Sequence, residues 1–319
     1  MDSRRERLRP TPALRRGLTA ASAVVILGPL AACGGSSPAT GSAATAAGFS
    51  CPNNGTVRMG VEPYDDAAKL LPVLQAVARQ LGSKLGCTVE LTVATNYTAE
   101  IEAMRNGKLE IGEFGPLGYV LAHQVAKAQA VATYTDRSGA PATYTASIVT
   151  PQGTGLTRLA DVAGHTFAYS DVASTSGHLF PAYALKKSGI DPDTGVQALY
   201  AGSHTAAFEA IRNRKVDAGE LNSNTITSAT ASGEYKPADF VTLWQSDPIP
   251  QDPICVRGDL PAAFTKKLSA ALAAIDLSTV ADPGRVLLGP GFTPQPDSAY
   301  NPIRDLVSTL KLDLNNLPK

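Results

Sequence analysis

Residues 166–187 read TFAYSDVASTSGHLFPAYALKK. The stretch opens as a short apolar strand, Thr166–Tyr169, and closes as an amphipathic helix over Gly177–Lys187. Between them stands Ser174-Thr175-Ser176-Gly177. A helix leaves its first backbone N–H groups without intrahelical partners, and its dipole places partial positive charge there. Three hydroxyls at that point add donors that rotate to suit what they meet. The combination suits a small oxyanion held at a strand-to-helix turn. Ser174 or Ser176 equally suits the plain task of capping the helix, and the tetrapeptide alone leaves both readings open.

The same rhythm extends outward in both directions. Strands are expected at Val57–Val61, Thr88–Ala94 and Glu110–Gly112, with helices over Asp66–Leu81, Ala99–Asn106 and Leu117–Ala128 between and after them. In the first helix Leu70, Leu71, Leu74, Val77 and Leu81 recur at helical spacing. This is the βαβ pattern of a parallel sheet. A longer strand, Thr143–Thr150, reads as a crossing into a second unit. That unit has strands at Thr166–Tyr169, Ala198–Tyr200, Val216–Leu221 and Phe240–Trp244, and helices at Gly177–Lys187 and Thr205–Arg214. Ile254–Arg257 reads as the return, followed by helices at Ala262–Ala274 and Pro302–Leu310. The fold class is α/β: lobe I from 51–147 plus 250–319, lobe II from 148–249, joined by a hinge of two crossovers. Ligands of such sheets lie beyond the carboxyl ends of strands, at helix N-termini.

The amino terminus reads as a targeting segment. Residues 1–16 carry six arginines against two acids, and the apolar run Leu18–Leu30, broken by Gly28 and Pro29, is too short to span a bilayer. It ends Leu30-Ala31-Ala32-Cys33-Gly34, which resembles a bacterial lipobox with Cys33 as the lipidated first residue of the mature protein; an ordinary small-residue cleavage site is the plainer alternative. Residues 1–32 are thus expected to be a lipoprotein signal peptide and 33–50, rich in Gly, Ser and Ala, a flexible tether. Arg15-Arg16 leaves the export route, general secretory or twin-arginine, open. The expected location is the outer face of the cell membrane, held by a lipid anchor.

Removing 1–32 changes the balance of basic and acidic residues from 28 against 28 to 22 against 26, a charge of −4. A mildly acidic chain with one Trp and no basic run is a poor nucleic-acid partner, so an anionic ligand would be held by local dipoles and donors. Of the remaining cysteines, Cys51 and Cys87 each precede one of the first two strands. Adjacent parallel strands begin at one sheet edge, so a Cys51–Cys87 disulfide is expected in an exported protein. Cys255 reads as a buried strand thiol. The four histidines at 123, 165, 178 and 204 lack ligand spacing, and no nucleophile elbow or phosphate-loop lysine motif occurs. His178 beside Ser176 is expected to point away from it. No catalytic residue, metal or cofactor is expected.

Several elements then occur in order: Gly107-Lys108-Leu109-Glu110-Ile111 leading into Phe114-Gly115-Pro116-x-x-Tyr119; Ser174-Thr175-Ser176-Gly177-x-x-x-Pro181; Gly202-Ser203-His204; Val216-Asp217-Ala218-Gly219; and Ile249-Pro250-x-Asp252-Pro253-Ile254. Together, over roughly 55–275, the chain resembles the phosphonate, phosphite and phosphate-binding lipoproteins of ABC importers. The resemblance implies a type II periplasmic-binding fold, a monomer, a ligand in the interdomain cleft, and a permease–ATPase complex as partner. It implies that Ser174, Thr175 and Ser176 hold a phosphorus oxyanion. It further implies that Tyr64 offers a phenol, that Phe114 packs where relatives often carry Tyr, that His204 donates and that Asp252 accepts. A carboxylate beside an anion is repulsive unless a proton lies between them, so Asp252 would favour a ligand bearing P–OH, or a cationic tail, and exclude sulfate. Members that take aminoalkylphosphonates carry a further carboxylate near the position of Asn224, which disfavours that ligand class here; Glu220 or Asn222 are alternatives for the cleft-facing position. Glu113 is expected to be a solvated or hydrogen-bonded loop residue. The competing reading is a binding protein for another small anion or organic ligand, such as a sulfonate.

Overall fold

The computed structural model describes residues 49–312. The expected signal peptide, Cys33 and nearly all of the 33–50 tether lie outside the described residues.

Strands β1 (Thr56–Val61), β2 (Thr88–Val93) and β3 (Ile111–Glu113) alternate with helices α1 (Ala67–Leu85), α2 (Tyr97–Arg105) and α3 (Pro116–Ala126), and β4 (Gln129–Tyr134) follows. The chain then crosses through β5 (Thr143–Tyr144) into β6 (Ala146–Pro151), β7 (Thr166–Tyr169), α4 (Phe180–Lys187), β8 (Gln197–Tyr200), α5 (His204–Arg212), β9 (Ala218–Asn222), α6 (Ser223–Ala231) and β10 (Phe240–Gln245). It returns through β11 (Ile249–Pro250) to β12 (Pro253–Val256), α7 (Ala262–Ala273), β13 (Phe292–Thr293) and α8 (Asn301–Leu310).

Two sheets result, ordered β13-β4-β12-β3-β1-β2 and β10-β6-β9-β7-β8. The β1–β2, β1–β3, β7–β8 and β7–β9 pairs are parallel, as the βαβ rhythm predicts. Both sheets are nonetheless mixed, because the strands that carry the chain across enter in the opposite sense: β12 runs antiparallel to β3 and β4, and β6 antiparallel to β9 and β10. The expected single strand 143–150 is in fact two. It breaks at Thr145, so that β5 can pair with β11 (Ile249 opposite Tyr144, Pro250 opposite Thr143) in a two-stranded ribbon between the sheets.

Apart from the exposed edge strand β8, the sheets are covered on both faces. On the first, Leu70, Leu74 and Leu81 of α1 pack with Val57, Val61, Ile254 and Phe264 on one side; Tyr97, Met104, Phe114, Leu117, Tyr119 and Tyr300 form the other. Each fully buried Leu of this kind contributes roughly 1.5–3 kcal/mol. In the second, Ile148, Phe167 and Leu185 lie on one face and Val149, Phe208 and Leu221 on the other. Cys51 and Cys87 form a disulfide with Cα atoms 5.8 Å apart, joining the starts of β1 and β2 as their adjacency requires. Closing that loop removes unfolded-chain entropy worth about 4 kcal/mol in the chain-entropy account. Cys255 is buried and free.

Candidate functional site

The helical turn begins two positions earlier than expected, at Thr175 and not at Gly177. Thr175–Leu179 forms a wide π turn that feeds α4, and Ser174 caps it, its Oγ accepting from the Gly177 amide at 3.1 Å. Gly177 is required there: a β-carbon would collide with Ser170 Oγ, on the segment leaving β7. Tight packing of turn against strand end therefore presents Ser174, Thr175 and Ser176 side by side, all three almost completely buried.

A cavity of about 50 Å³ lies over this turn. One water needs roughly 10–15 Å³ on the same measure, so the space suits a single tetrahedral ion with a small substituent at most. Its walls converge from both sheets: Glu62, Tyr64, Tyr97, Tyr144 and Asp252 from one side and the ribbon, and the three hydroxyls, His204, Asn222 and Asn224 from the other.

Each hydroxyl of the turn has its acceptor side in use. Ser174 Oγ takes the Gly177 amide and lies 3.4 Å from His204 Nε2; Thr175 Oγ1 accepts from the Leu117 amide at 2.8 Å; Ser176 Oγ accepts from Asn222 Nδ2 at 3.2 Å. The O–H of each is left to donate. The phenol oxygens of Tyr64 and Tyr97 are buried and have no hydrogen-bond partner among the described residues. Burial, reinforced by nearby carboxylates, pushes both phenols upward, so they remain neutral donors.

His204 opens α5, with Nδ1 2.7 Å from Glu220 Oε1. Burial by itself would depress the imidazole, but the Glu220 carboxylate outweighs it and the net shift is upward. His204 thus keeps its proton to higher pH than a free imidazole does. Asp252 is pushed up to about 7 by burial, with His204 pulling the other way.

Hydrogen bonds bridge the two sheets above the cavity. The His204 amide donates to Tyr64 O at 3.2 Å, Thr205 Oγ1 donates to Asp65, and Ser228 Oγ donates to Gly284 O at 2.7 Å. With Leu117–Thr175, these ties hold the cleft closed.

Of the expected site residues, Tyr64, Ser174, Thr175, Ser176, His204, Asn224 and Asp252 line one cavity. Phe114 does not. It is fully buried in the core, folded back over Gly112 and Met104, where the missing side chain of Gly112 leaves it room. The additional phenols come instead from Tyr97 and Tyr144. Tyr97 follows the Asn96 cap at the start of α2, the same strand-end, helix-start position as the Ser-rich turn, and that position was its legible signal. Glu113 is not solvated: it is 3% exposed and accepts from Tyr134 Oη at 3.0 Å. Glu220 stands behind His204, whereas Asn222 reaches the cavity wall. His178 points away, its Nδ1 2.8 Å from Val172 O and its ring edge-on to Tyr169.

Two α/β halves, a paired double crossover and a donor-lined cavity between helix N-termini define a solute-binding protein of the type II periplasmic class. Residues 59–294 match the family described as ABC transporter, phosphonate, periplasmic substrate-binding protein, and the chain belongs to that family. It is 29% identical over 242 residues to the phosphate-import protein PhnD of Mycolicibacterium smegmatis, covering 72% of this chain and 73% of that protein. It is 27% identical over 217 residues to the phosphonates-binding periplasmic protein of Escherichia coli, covering 66% and 64% respectively. In structure it resembles PhnD1 of Prochlorococcus marinus in complex with methylphosphonate, with a TM-score of 0.71 at 20% identity over 81% of this chain and 98% of that one. Membership makes this protein the extracytoplasmic binding component of an importer, and not an enzyme.

Proposed function

We propose that this protein captures a small phosphorus oxyanion (phosphate, phosphite or a short alkylphosphonate) and delivers it to a membrane permease and its ATPase. One observation carries the reading: three adjacent hydroxyls, each with its acceptor side occupied by the protein, face a cavity the size of one tetrahedral ion. Tyr64, Tyr97 and Tyr144 add phenols, and His204 an imidazole whose proton is retained to higher pH than usual. Asp252 shares one proton with a ligand oxygen, which a P–OH supplies and sulfate does not. At the lining position where the resemblance places a further carboxylate for an ammonium tail stands Asn224, with Asn222 and Thr225 near it in sequence; the carboxyl residues that do line the cavity are Glu62, Asp65 and Asp252. This disfavours aminoalkylphosphonates. The relatives named for phosphate and phosphonate support the same class.

The lobes, 51–147 with 250–319 and 148–249, are the bodies that close on the ligand. Cys33, following a signal peptide over 1–32, anchors a monomer to the outer face of the membrane through the tether.

Calorimetric titration of ligand-stripped protein with phosphate, phosphite, methylphosphonate, 2-aminoethylphosphonate and sulfate tests the reading. Tight binding of one phosphorus species and none of sulfate is expected, and Asp252→Asn weakens that species while admitting sulfate. Tight binding of methanesulfonate, titrated alongside them, in place of all of these would establish the competing reading.

A further inference from the structure

Arg285 lines the ion cavity and also a second, larger space beside it. That space is an outer groove of about 610 Å³, and Arg285 and Leu288 are walls common to the two. Among the described residues that line the ion cavity, Arg285 is the one lysine or arginine, against the carboxyl groups of Glu62, Asp65 and Asp252. Arg58, Arg257 and Arg304 are each paired with a carboxylate; the guanidinium of Arg285 is exposed and has no hydrogen-bond or ion-pair partner among the described residues. The backbone that carries it is fixed. Asp282 accepts from the Val286 and Leu287 amides, each at 2.8 Å, and Gly284 O accepts from Ser228 Oγ of α6, in the other sheet's half, at 2.7 Å. Arg285 itself has φ 55°, in the left-handed region where glycine is at ease and other residues are strained. A charged side chain is thus kept where a glycine would fold more easily, at the seam above the cavity.

We propose that Arg285 is the entry residue for the anionic ligand: its guanidinium draws the ion in along the outer groove and offsets the carboxyl groups of the cavity until the hydroxyls of the Ser-rich turn take it over. The proposal rests on the oxyanion reading above. The need for it follows from charge. The chain from residue 33 onward carries −4, and three carboxyl residues wall the cavity, so an approaching anion meets repulsion. A guanidinium is charged at any working pH, and in a concave wall its field is focused into the opening, which raises the arrival rate. Arg137 stands farther out in the same groove, likewise exposed and without a partner among the described residues. The two acids of the groove are answered locally: Asp136 by the Ser138 and Ala140 amides at 2.8 and 3.1 Å, and Asp282 by the pair given above. Because Arg285 stays exposed while the hydroxyls are buried, it acts on arrival and not on retention.

The test measures association and dissociation rates of ligand-stripped wild type, Arg285→Gln, Arg285→Lys and Arg79→Gln with inorganic phosphate, phosphite and methylphosphonate. Stopped-flow fluorescence is recorded at about 10 mM and about 1 M salt, where charges act over about 30 Å and about 3 Å. Arg79, on α1, borders neither space, so its variant removes the same charge elsewhere. At low salt Arg285→Gln is expected to lower the association rate for the species the wild type binds about three- to tenfold, with dissociation changed less than about twofold. Arg285→Lys keeps most of the rate, Arg79→Gln matches wild type, and all four converge at high salt. For a ligand that gives no optical signal, calorimetry at the same two salt concentrations reads the same loss as an affinity about three- to tenfold weaker at low salt alone. A wild-type association rate in Arg285→Gln, an equal loss in Arg79→Gln, a loss that persists at high salt, or one that falls on dissociation would each overturn the proposal while leaving the oxyanion reading intact. A wild-type protein that binds none of the three ligands overturns that reading itself, and this proposal with it.

Discussion

Nδ1 of His204 stands 2.7 Å from the fully buried carboxylate of Glu220, the first residue of α5 meeting the middle of β9. The imidazole is thereby fixed with Nε2 toward Ser174 and is held charged beyond its ordinary range of about 6.5. Because the folded value is raised, the stabilisation from this pair is fully present below the unfolded value and is lost as pH rises through the folded one. Glu220→Gln removes the partner and moves that loss to lower pH. Affinity for the phosphorus ligand is expected to fall about tenfold near neutrality, checked by calorimetry across pH and by the His204 ring resonance in NMR.

Thr175→Val leaves the Leu117 amide without its acceptor when the cleft is closed. An unpaired buried donor costs about 1–3 kcal/mol. The variant is expected to bind roughly 10–100-fold more weakly and to populate the open form with ligand present, as read by small-angle scattering. Thr175→Ser retains the hydroxyl and most of the affinity.

Tyr97→Phe and Tyr144→Phe each delete one phenol from the cavity wall and are expected to weaken binding about tenfold without lowering the melting temperature. Phe114→Leu does the reverse: affinity unchanged, stability lower by about 1 kcal/mol. Paired titrations and melts of the three variants separate wall from core.

Glu110 is 1% exposed. Although burial opposes ionisation, hydrogen bonds from Arg58 bring it down to about 2, and Arg257 lies 3.2 Å away. A depressed carboxylate contributes stability that is present above its unfolded value and lost as pH falls through the folded one. The window runs from the ordinary value of 4.5 down to about 2, and the effect is at most roughly 3 kcal/mol. Denaturant titrations of Glu110→Gln are expected to lose this acid dependence.

The architecture was legible because most strands and helices carry their own periodicity. Val57–Val61 and Leu70–Leu81 pack in the structure on the faces that their spacing marks. Elements without such a signal were not. Helix α6 reads SNTITSATA, polar and β-branched, and stands on the Asn222 cap and a single buried Ala229. Strand β4 continues an apolar run out of α3, and periodicity cannot divide such a run. In the site, the Ser-rich turn announced itself through hydroxyl density at a helix start. Tyr144 had no such signal, since it reaches the cavity only because β5 pairs with β11. Glu62 carried no signal of its own, since its setting depends on Gly115 and Gly118, far away in sequence.

If the two lobes close on the ligand as proposed, the ribbon of β5 and β11 is their fulcrum. Tyr144 lies within it and Asp252 two residues beyond its end, so both sit at the short end of the lever. Rotation about that axis would barely displace them, while Ser174–Ser176 and His204 sweep through the long arc. An arriving ion would meet Asp252 before it meets the hydroxyls. Whether it carries a proton to share would be decided while the jaws stand apart, and the wrong ion would leave without the cost of closing them.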